Sequence, residues 1–190
     1  MCDARRMQSL HHAVASAAPL SDHRWASAQT LSEYVDAATS NRELFRSILA
    51  AAHLSPQQAM RAQAISCERR VLILLEDWCV DAMHAASAML RFVETNTLLS
   101  LRVLSRDANP DVMDAHRVGT ARSIPVVMAF DHDGRECGWW GPRPSPLQMW
   151  IEHEMQYVEQ PARSQYVRDW YAKDDGVTTQ AELLTLLELG

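Results

Sequence analysis

The sequence lacks the features that mark several functional classes. No apolar run approaches the roughly 20 residues needed to cross a bilayer, and no block of Lys or Arg stands out. With a net charge of −6, these gaps argue against an anionic membrane surface or a nucleic acid as partner. The cysteines Cys2, Cys67, Cys79 and Cys137 form neither a dense disulfide framework nor a zinc-binding pattern. We therefore expect a cytoplasmic protein with reduced thiols, no metal and no cofactor.

What the sequence does contain is enough apolar residue to build a core. Apolar types make up 47% of the 190 residues, which predicts one domain, with or without a helical extension. Residues 1–28 have no continuous apolar stretch and are interpreted as a flexible leader. Residues 29–66 are predicted to form a helical extension, because three capping patterns recur there: Thr30 with Glu33, Ser40 with Glu43, and Ser55 with Gln58.

The pattern changes at residue 69, where short apolar runs begin to alternate with helical spacing. The predicted strands and helices are, in order, strand 69–76, helix 79–94, strand 100–106, a short helix from Asn109, strand 124–131, strand 135–141 and a helix from Ser145. The first run shows no alternation of polar residues, as expected of a strand buried on both faces. The order β-α-β-α-β-β-α predicts an α/β protein with a mixed sheet.

Two further patterns concern turns and the end of the chain. Asp133 and Gly134 form the dipeptide that favours a two-residue hairpin turn with positive φ at both positions. Asp131, His132 and Asp133 include metal-ligand types, but their place in this turn favours a turn over a metal site. Residues 161–190 are predicted to be a C-terminal helical tail, with Pro161 breaking the preceding helix. A cap formed by Thr179 and Glu182 would begin the last helix.

Two motifs at set places in this order carry a resemblance to a known family. Trp78-Cys79 lies where a strand runs into a helix, and the segment 122–126 reads Arg-Ser-Ile-Pro-Val at the start of the third strand. The first resembles the start of the Trp-Cys-Gly-Pro-Cys site of thioredoxins, and the second resembles the segment around their cis-proline. Gly141, which closes the hairpin, also corresponds. The resemblance implies a thioredoxin-like domain over residues 67–160.

The sequence departs from this family at the second cysteine. Ala82 stands in its place, and Val80-Asp81 stand in the place of Gly-Pro. This pattern resembles a bacterial thioredoxin-like branch that lacks the resolving cysteine. A single thiol can attack a disulfide, but it needs an outside thiol to release the mixed disulfide that forms.

The other cysteines are poor substitutes for the missing one. Cys67 is separated from Cys79 by a mostly extended segment on the order of 30 Å long, whereas the two Cα atoms of a disulfide lie within about 7 Å. Cys137 follows the hairpin turn and is expected at the remote end of the sheet. Cys2, on the leader, could reach the site only through chain mobility. We therefore assign the candidate catalytic role to Cys79 alone.

The charges around Cys79 have opposing effects on its pKa. A helix N-terminus stabilises a thiolate, whereas the neighbouring carboxylates of Asp77 and Asp81 raise a thiol pKa. Arg143 and Arg122 are candidate modulators that could attract an anionic substrate or offset Asp81. From the sequence we expect a moderate nucleophile. The alternative interpretation is an inert, partly buried thiol at the start of a helix.

The resemblance also implies a binding surface beside the thiol. In thioredoxins the backbone before the cis-proline pairs with an extended peptide of the partner, much as a sheet edge does. Ile124 and Pro125 would supply that backbone here, and Trp78 would supply an apolar wall. Binding of this kind needs no second sulfur. The alternative is a proline that only shapes a turn.

Three functions remain open on the sequence. The first is thiol-based redox chemistry through Cys79 alone, a monothiol oxidoreductase-type activity with a disulfide or thiol of a protein or peptide as partner and a small-molecule thiol to resolve the adduct. The second is a non-catalytic module that binds an extended peptide or protein at Ile124 and Pro125. The third is a structural or interaction role of the additional helices. The sequence does not decide whether the protein is an enzyme.

Overall fold

The computed structural model describes residues 19–155 and 157–189. Within these ranges the chain forms, in order, α1 (Asp22–Ser27), α2 (Leu31–Ala37), α3 (Arg42–Ala51), α4 (Pro56–Ala64), β1 (Arg69–Leu75), α5 (Val80–Thr95), β2 (Leu99–Ser105), α6 (Pro110–Ala115), β3 (Val126–Phe130), β4 (Glu136–Trp140), α7 (Ser145–His153), α8 (Gln160–Asp174) and α9 (Val177–Leu187). The predicted α/β class and the order β-α-β-α-β-β-α are confirmed. None of the helices described is both long and apolar enough to cross a membrane.

The four strands form one mixed sheet in the order β2-β1-β3-β4. β1 pairs in parallel with β2, in antiparallel with β3, and β3 in turn pairs in antiparallel with β4. β1 and β3 are the two central strands, and all of β3 and nearly all of β1 are buried. This burial on both faces explains why the first apolar run shows no polar alternation.

One core joins the sheet to the helices before and after it. α5 packs against α3, α4, α9 and β2, and α2 packs against β2. The fully buried side chains include Phe45 of α3, Phe92 of α5 and Trp140 of β4. The leading helices are therefore part of the same core as the sheet.

The start of the described chain differs from the predicted leader. Residues 1–18 lie outside the described residues, but Asp22–Ser27 form α1, with the side chain of Ser21 capping it. The amide of Leu20 donates to the carbonyl of Gly134 at 2.8 Å. Leu20 and Ala28 are buried in the core and Trp25 packs against it. These long-range contacts were not visible in the composition of the segment.

The predicted helix caps are correct at two of three positions. Both hydrogen bonds of a capping box are present at Thr30–Glu33 and at Ser55–Gln58. The cap predicted at Ser40 is wrong, because α3 begins one residue later, after Asn41 in a left-handed conformation. The amide of Ser40 instead donates to the carboxylate of Asp77, 2.8 Å away, so a long-range contact displaces the local pattern.

The turn between β3 and β4 also differs from its predicted type. Gly134 has a positive φ of 76°, whereas Asp133 does not. The carboxylate of Asp131 accepts the amides of Asp133 at 2.9 Å and Arg135 at 2.8 Å. Asp131, His132 and Asp133 place ligand atoms within 4.8 Å of one another, but the Asp131 carboxylate already organises the turn, as its position in the sequence indicates.

The C-terminal helices depart from the predicted breaks. α7 ends at His153, before Pro161, and Pro161 lies in the first turn of α8. A proline is tolerated in the first turn because no intrahelical donor is needed there, so Pro161 begins a helix rather than breaking one. α9 begins after Gly176, which places Thr179 inside the helix. The predicted cap at Thr179 is therefore wrong.

The helical C-terminal segment contributes α9 to the core. Its buried side chains include Leu183, Leu184, Leu186 and Leu187. The carboxylate of Glu182 accepts the indole N–H of Trp140 at 2.7 Å and the amide of Ser145 at 2.9 Å. Glu182 thus connects α9 to the end of β4 and the start of α7, and does not cap its own helix.

The end of β4 approaches the start of β3 very closely at Gly141. This glycine has a φ of +144°, and a Cβ built on it would lie 2.0 Å from the carbonyl oxygen of Pro125. No side chain fits in that space. The close approach holds Pro125 at the same end of the sheet as the segment that follows β4.

We expect Gly141→Ala to destabilise the protein by more than about 3 kcal/mol, because a β-carbon meets backbone that cannot move away. Gly119→Ala is the matched control: Gly119 also has a positive φ, of 61°, but its Cβ would meet nothing within 4 Å. That change is expected to cost about 1 kcal/mol. Urea unfolding of both variants checks the difference, and equal losses would contradict the close approach.

Candidate functional site

Cys79 and Ile124 meet at one end of the sheet. Cys79 is the N-cap of α5, and its amide donates to the carbonyl of Glu76 at 3.1 Å. Its sulfur lies 3.6 Å from the carbonyl oxygen of Ile124, which suits a weak S–H donor. The Ile124–Pro125 peptide bond is cis. The two sequence motifs are thus in direct contact.

The thiol at this junction is enclosed. Cys79 is 8% exposed, and burial is the main cause that raises the pKa of its thiol to about 11, followed by the Asp81 carboxylate. The amides of Ala82 and Asp81 and the guanidinium of Arg143 lower this pKa, but less strongly. Roughly one thiol in ten thousand is then ionised at pH 7. We expected a moderate nucleophile from the sequence, which did not reveal the enclosure that raises this pKa.

An ion pair between a buried carboxylate and a partly exposed guanidinium lies near the thiol. The carboxylate of Asp81 is 2.8 Å from the guanidinium of Arg143 and accepts the hydroxyl of Tyr171 at 2.9 Å. Burial raises the pKa of the Asp81 carboxyl, and Arg143 and Tyr171 act in the opposite direction. Arg143 thus contacts Asp81, as one of the sequence hypotheses proposed. Tyr171 was missed, because no local pattern links α8 to a residue 90 positions earlier.

Asp77 and Arg122 are engaged elsewhere. The carboxylate of Asp77 accepts the amides of Thr39 at 2.7 Å and Ser40 at 2.8 Å, so it secures the connection between α2 and α3. The guanidinium of Arg122 contacts both carboxylate oxygens of Asp114, each at 2.7 Å. Neither Asp77 nor Arg122 is therefore among the charged groups that shift the pKa of Cys79.

Trp78 presents its indole to solvent beside a residue that the sequence reasoning missed. Trp78 is 48% exposed. The guanidinium of Arg106 lies 5.1 Å from the centroid of the Trp78 ring. The same guanidinium donates to the carbonyl of Arg122 at 3.4 Å. Arg106 therefore bridges Trp78 and the segment that leads to Pro125. Its place directly after β2, at the same sheet end, is the signal that could have found it.

The backbone before Pro125 is unpaired. Within the part of the chain that the structure describes, neither the amide nor the carbonyl of Ser123, nor the amide of Ile124, has a hydrogen-bond partner. Ser123 is partly exposed, and Ile124 is 4% exposed. Nearly all backbone groups away from water are paired in folded proteins, so these unpaired groups are an exception. We call the backbone of Ser123 and Ile124 the open edge.

The other described thiols lie away from this end of the sheet. Cys67 precedes β1, whose far end leads to Cys79, and Cys137 lies beside Glu136, which pairs with Phe130 at the end of β3 remote from Pro125. Cys67, Cys79 and Cys137 are all free. Cys2 lies outside the described residues. Among the residues described, no second thiol is placed to resolve an adduct on Cys79.

Removing Arg143 is expected to leave the buried Asp81 carboxylate without its charged partner. At pH 8 we expect Arg143→Met to cost about 3 kcal/mol of unfolding free energy. The pKa of Asp81 is raised in the folded protein, so its charged form is the disfavoured one, and the loss should shrink as pH falls through that pKa and the carboxyl becomes neutral.

The control for this prediction is the double variant Arg143→Met with Asp81→Asn, which removes the charge itself. We expect it to recover at least half of the stability at pH 8. Denaturant unfolding at pH 4.5 and pH 8 measures both effects. A loss that is the same at both pH values, with no recovery in the double variant, would show that the ion pair does not control stability.

Comparisons with known proteins agree with this geometry. A family model described as Thioredoxin matches residues 28–159, which includes α2, α3 and α4 as well as the sheet. No curated protein matches the sequence.

Two solved structures are similar in fold. A protein of unknown function from Pseudomonas aeruginosa has 18% identity and a TM-score of 0.64 over 86% of this chain and 93% of its own. An HIV epitope scaffold has 17% identity and a TM-score of 0.63 over 86% of this chain and 94% of its own. At such identities these two structures support the fold alone. By the match of the family model over most of its length, the chain belongs to the thioredoxin family.

Proposed function

We propose that the protein binds an extended segment of a partner protein at the backbone of Ser123 and Ile124, without catalytic turnover. The observation that carries this proposal is the open edge formed by these two residues, whose amides have no partner among the residues described. An extended peptide can pair with such an edge through its own backbone, and pockets or exposed side chains nearby then select its sequence.

The side chains around the edge support the same role. The exposed indole of Trp78 offers an apolar, sequence-selective contact, and residues of this type often dominate binding energy. Arg106 stacks on that indole and donates to the carbonyl of Arg122, the residue before Ser123. Trp78 and the edge are therefore held together as one surface, ready for a partner.

The thiol is poorly suited to rapid redox chemistry. With its pKa raised to about 11, Cys79 is almost entirely protonated at neutral pH, and only the thiolate attacks disulfides. No second thiol among the residues described is placed to release a mixed disulfide. These properties favour binding over monothiol catalysis as the main function.

Monothiol chemistry through Cys79 is the second candidate, favoured by the 3.6 Å contact between its sulfur and the Ile124 carbonyl. A peptide bound at the open edge would lie close to the sulfur of Cys79. The Cys79 thiolate would form a bond to one sulfur of a partner disulfide, and the other partner sulfur would leave as a thiolate. A small-molecule thiol would then displace Cys79 and remain bonded to the partner sulfur, so that Cys79 returns to the thiol.

Peptides selected from a displayed random library against the full chain separate the two candidates. For a selected peptide that lacks cysteine, we expect Trp78→Ala to weaken the Kd at least about tenfold and Cys79→Ser to change it by less than about twofold. Hydrogen exchange at the amides of Ser123 and Ile124 should slow in the complex, because these groups gain partners.

Met60→Ala is the control, since Met60 is an exposed apolar residue on α4, outside the proposed surface. It should leave the Kd unchanged. If the library yields only cysteine-containing peptides whose capture is abolished by Cys79→Ser, the monothiol function is correct and the binding module is not. Unchanged exchange at Ser123 and Ile124 would also contradict the proposal.

A further inference from the structure

A cavity lies away from the open edge, where α3, α5, α8 and α9 meet. Its volume is about 190 Å³, and its apolar lining includes Ile48, Ala52, Ala88 and Ala172. An engineered apolar cavity of about 150 Å³ binds benzene. The cavity is therefore large enough for one aromatic ring with a small substituent.

Two buried polar atoms at this cavity lack partners. The hydroxyl of Thr179 and the Oε1 atom of Gln180 have no hydrogen bond within the described part of the chain, and the two residues are 1% and 3% exposed. Both line the cavity. Because an unpaired buried polar group costs about 1–3 kcal/mol, a ligand that supplies the missing partners would relieve that cost.

The orientation of the Gln180 amide is set by a neighbour. Its Nε2 group donates to the backbone carbonyl of His53 at 2.8 Å, so the free atom is the oxygen, which only accepts. The cavity therefore presents an acceptor at Gln180 and a hydroxyl at Thr179. A ligand with N–H or O–H donors matches this pair, and one with acceptors alone does not.

The charges at the mouth of the cavity favour a cation over an anion. Asp175, which is exposed, places its carboxylate 3.5 Å from the ring of His53. The C-terminal ends of α3 and α8 meet the cavity at Ala52 and Asp175, although the N-terminus of α9 lies there too. The inner wall carries no net charge, since burial lowers the pKa of His84 to about 4, and its ring is stacked on Tyr171.

We propose that this cavity binds a small aromatic amidine, with its ring between the apolar side chains and its N–H groups donating to Gln180 Oε1 and the Thr179 hydroxyl. The Asp175 carboxylate attracts the positive charge at the mouth. The site is independent of peptide binding at Ser123 and Ile124, so either function can hold without the other.

Three probes of nearly equal shape test the ligand class: benzamidine, benzamide and benzoate. Calorimetry and amide chemical shifts of the full chain should show benzamidine binding with a Kd of about 1 mM or tighter. Benzamide should bind about fivefold more weakly and benzoate more weakly still, because they lose the charge and then the donors. The shifted signals should include those of Thr179 and Gln180.

Thr179→Val removes the unpaired hydroxyl and keeps the shape of the side chain, so it should change binding and stability in opposite directions. It should weaken benzamidine binding about threefold to tenfold while raising the Tm of the ligand-free protein. Thr178→Val is the matched control: the Thr178 hydroxyl donates to the Asp174 carboxylate and does not line the cavity. It should lower the Tm and leave the benzamidine Kd unchanged.

Three results would overturn the proposal. The first is the absence of benzamidine binding at about 10 mM, which is about tenfold above the weakest expected Kd. The second is equal binding of benzamidine and benzoate. The third is a Thr179→Val variant that binds benzamidine as tightly as the unchanged protein.

Discussion

The enclosure of the Cys79 side chain between the start of α5 and the Ile124 backbone governs the chemistry of this end of the molecule. The sulfur lies 3.6 Å from the Ile124 carbonyl and is removed from solvent, which is the main reason that its pKa is raised. Asp81 is also buried, and its carboxylate pairs with Arg143 and Tyr171. At a helix N-terminus, a position that often lowers the pKa of a thiol, the pKa of Cys79 is therefore raised.

Binding and redox chemistry depend on different atoms in this arrangement. Thiol exchange needs an accessible thiolate and a second thiol, whereas pairing with an extended peptide needs only unpaired backbone. The backbone of Ser123 and Ile124 keeps that property, and Arg106 holds Trp78 beside it. Ala82, in the place of the second cysteine, therefore affects thiol exchange and leaves the backbone of Ser123 and Ile124 as it is.

Sequence reasoning was strongest where local signals and the fold agree. The buried run of β1 and the helix that follows Cys79 placed the thiol at a strand–helix junction, and the family resemblance placed Pro125 near it. It failed where a distant residue decides the outcome: Asp77 takes the amide of Ser40, Glu182 binds Trp140, and Tyr171 reaches Asp81. The burial of Cys79 could not be predicted for the same reason, because several elements that are distant in sequence enclose the side chain together.

The most direct test of this account is an NMR titration of the full chain that carries ¹³C at the Cβ atom of cysteine. The Cβ shift of Cys79 reports ionisation of its own sulfur. The account predicts a midpoint near pH 11, with the thiol protonated throughout the neutral range. A midpoint below about pH 8, under the usual cysteine value, would show an activated thiol and contradict the enclosure as the controlling feature.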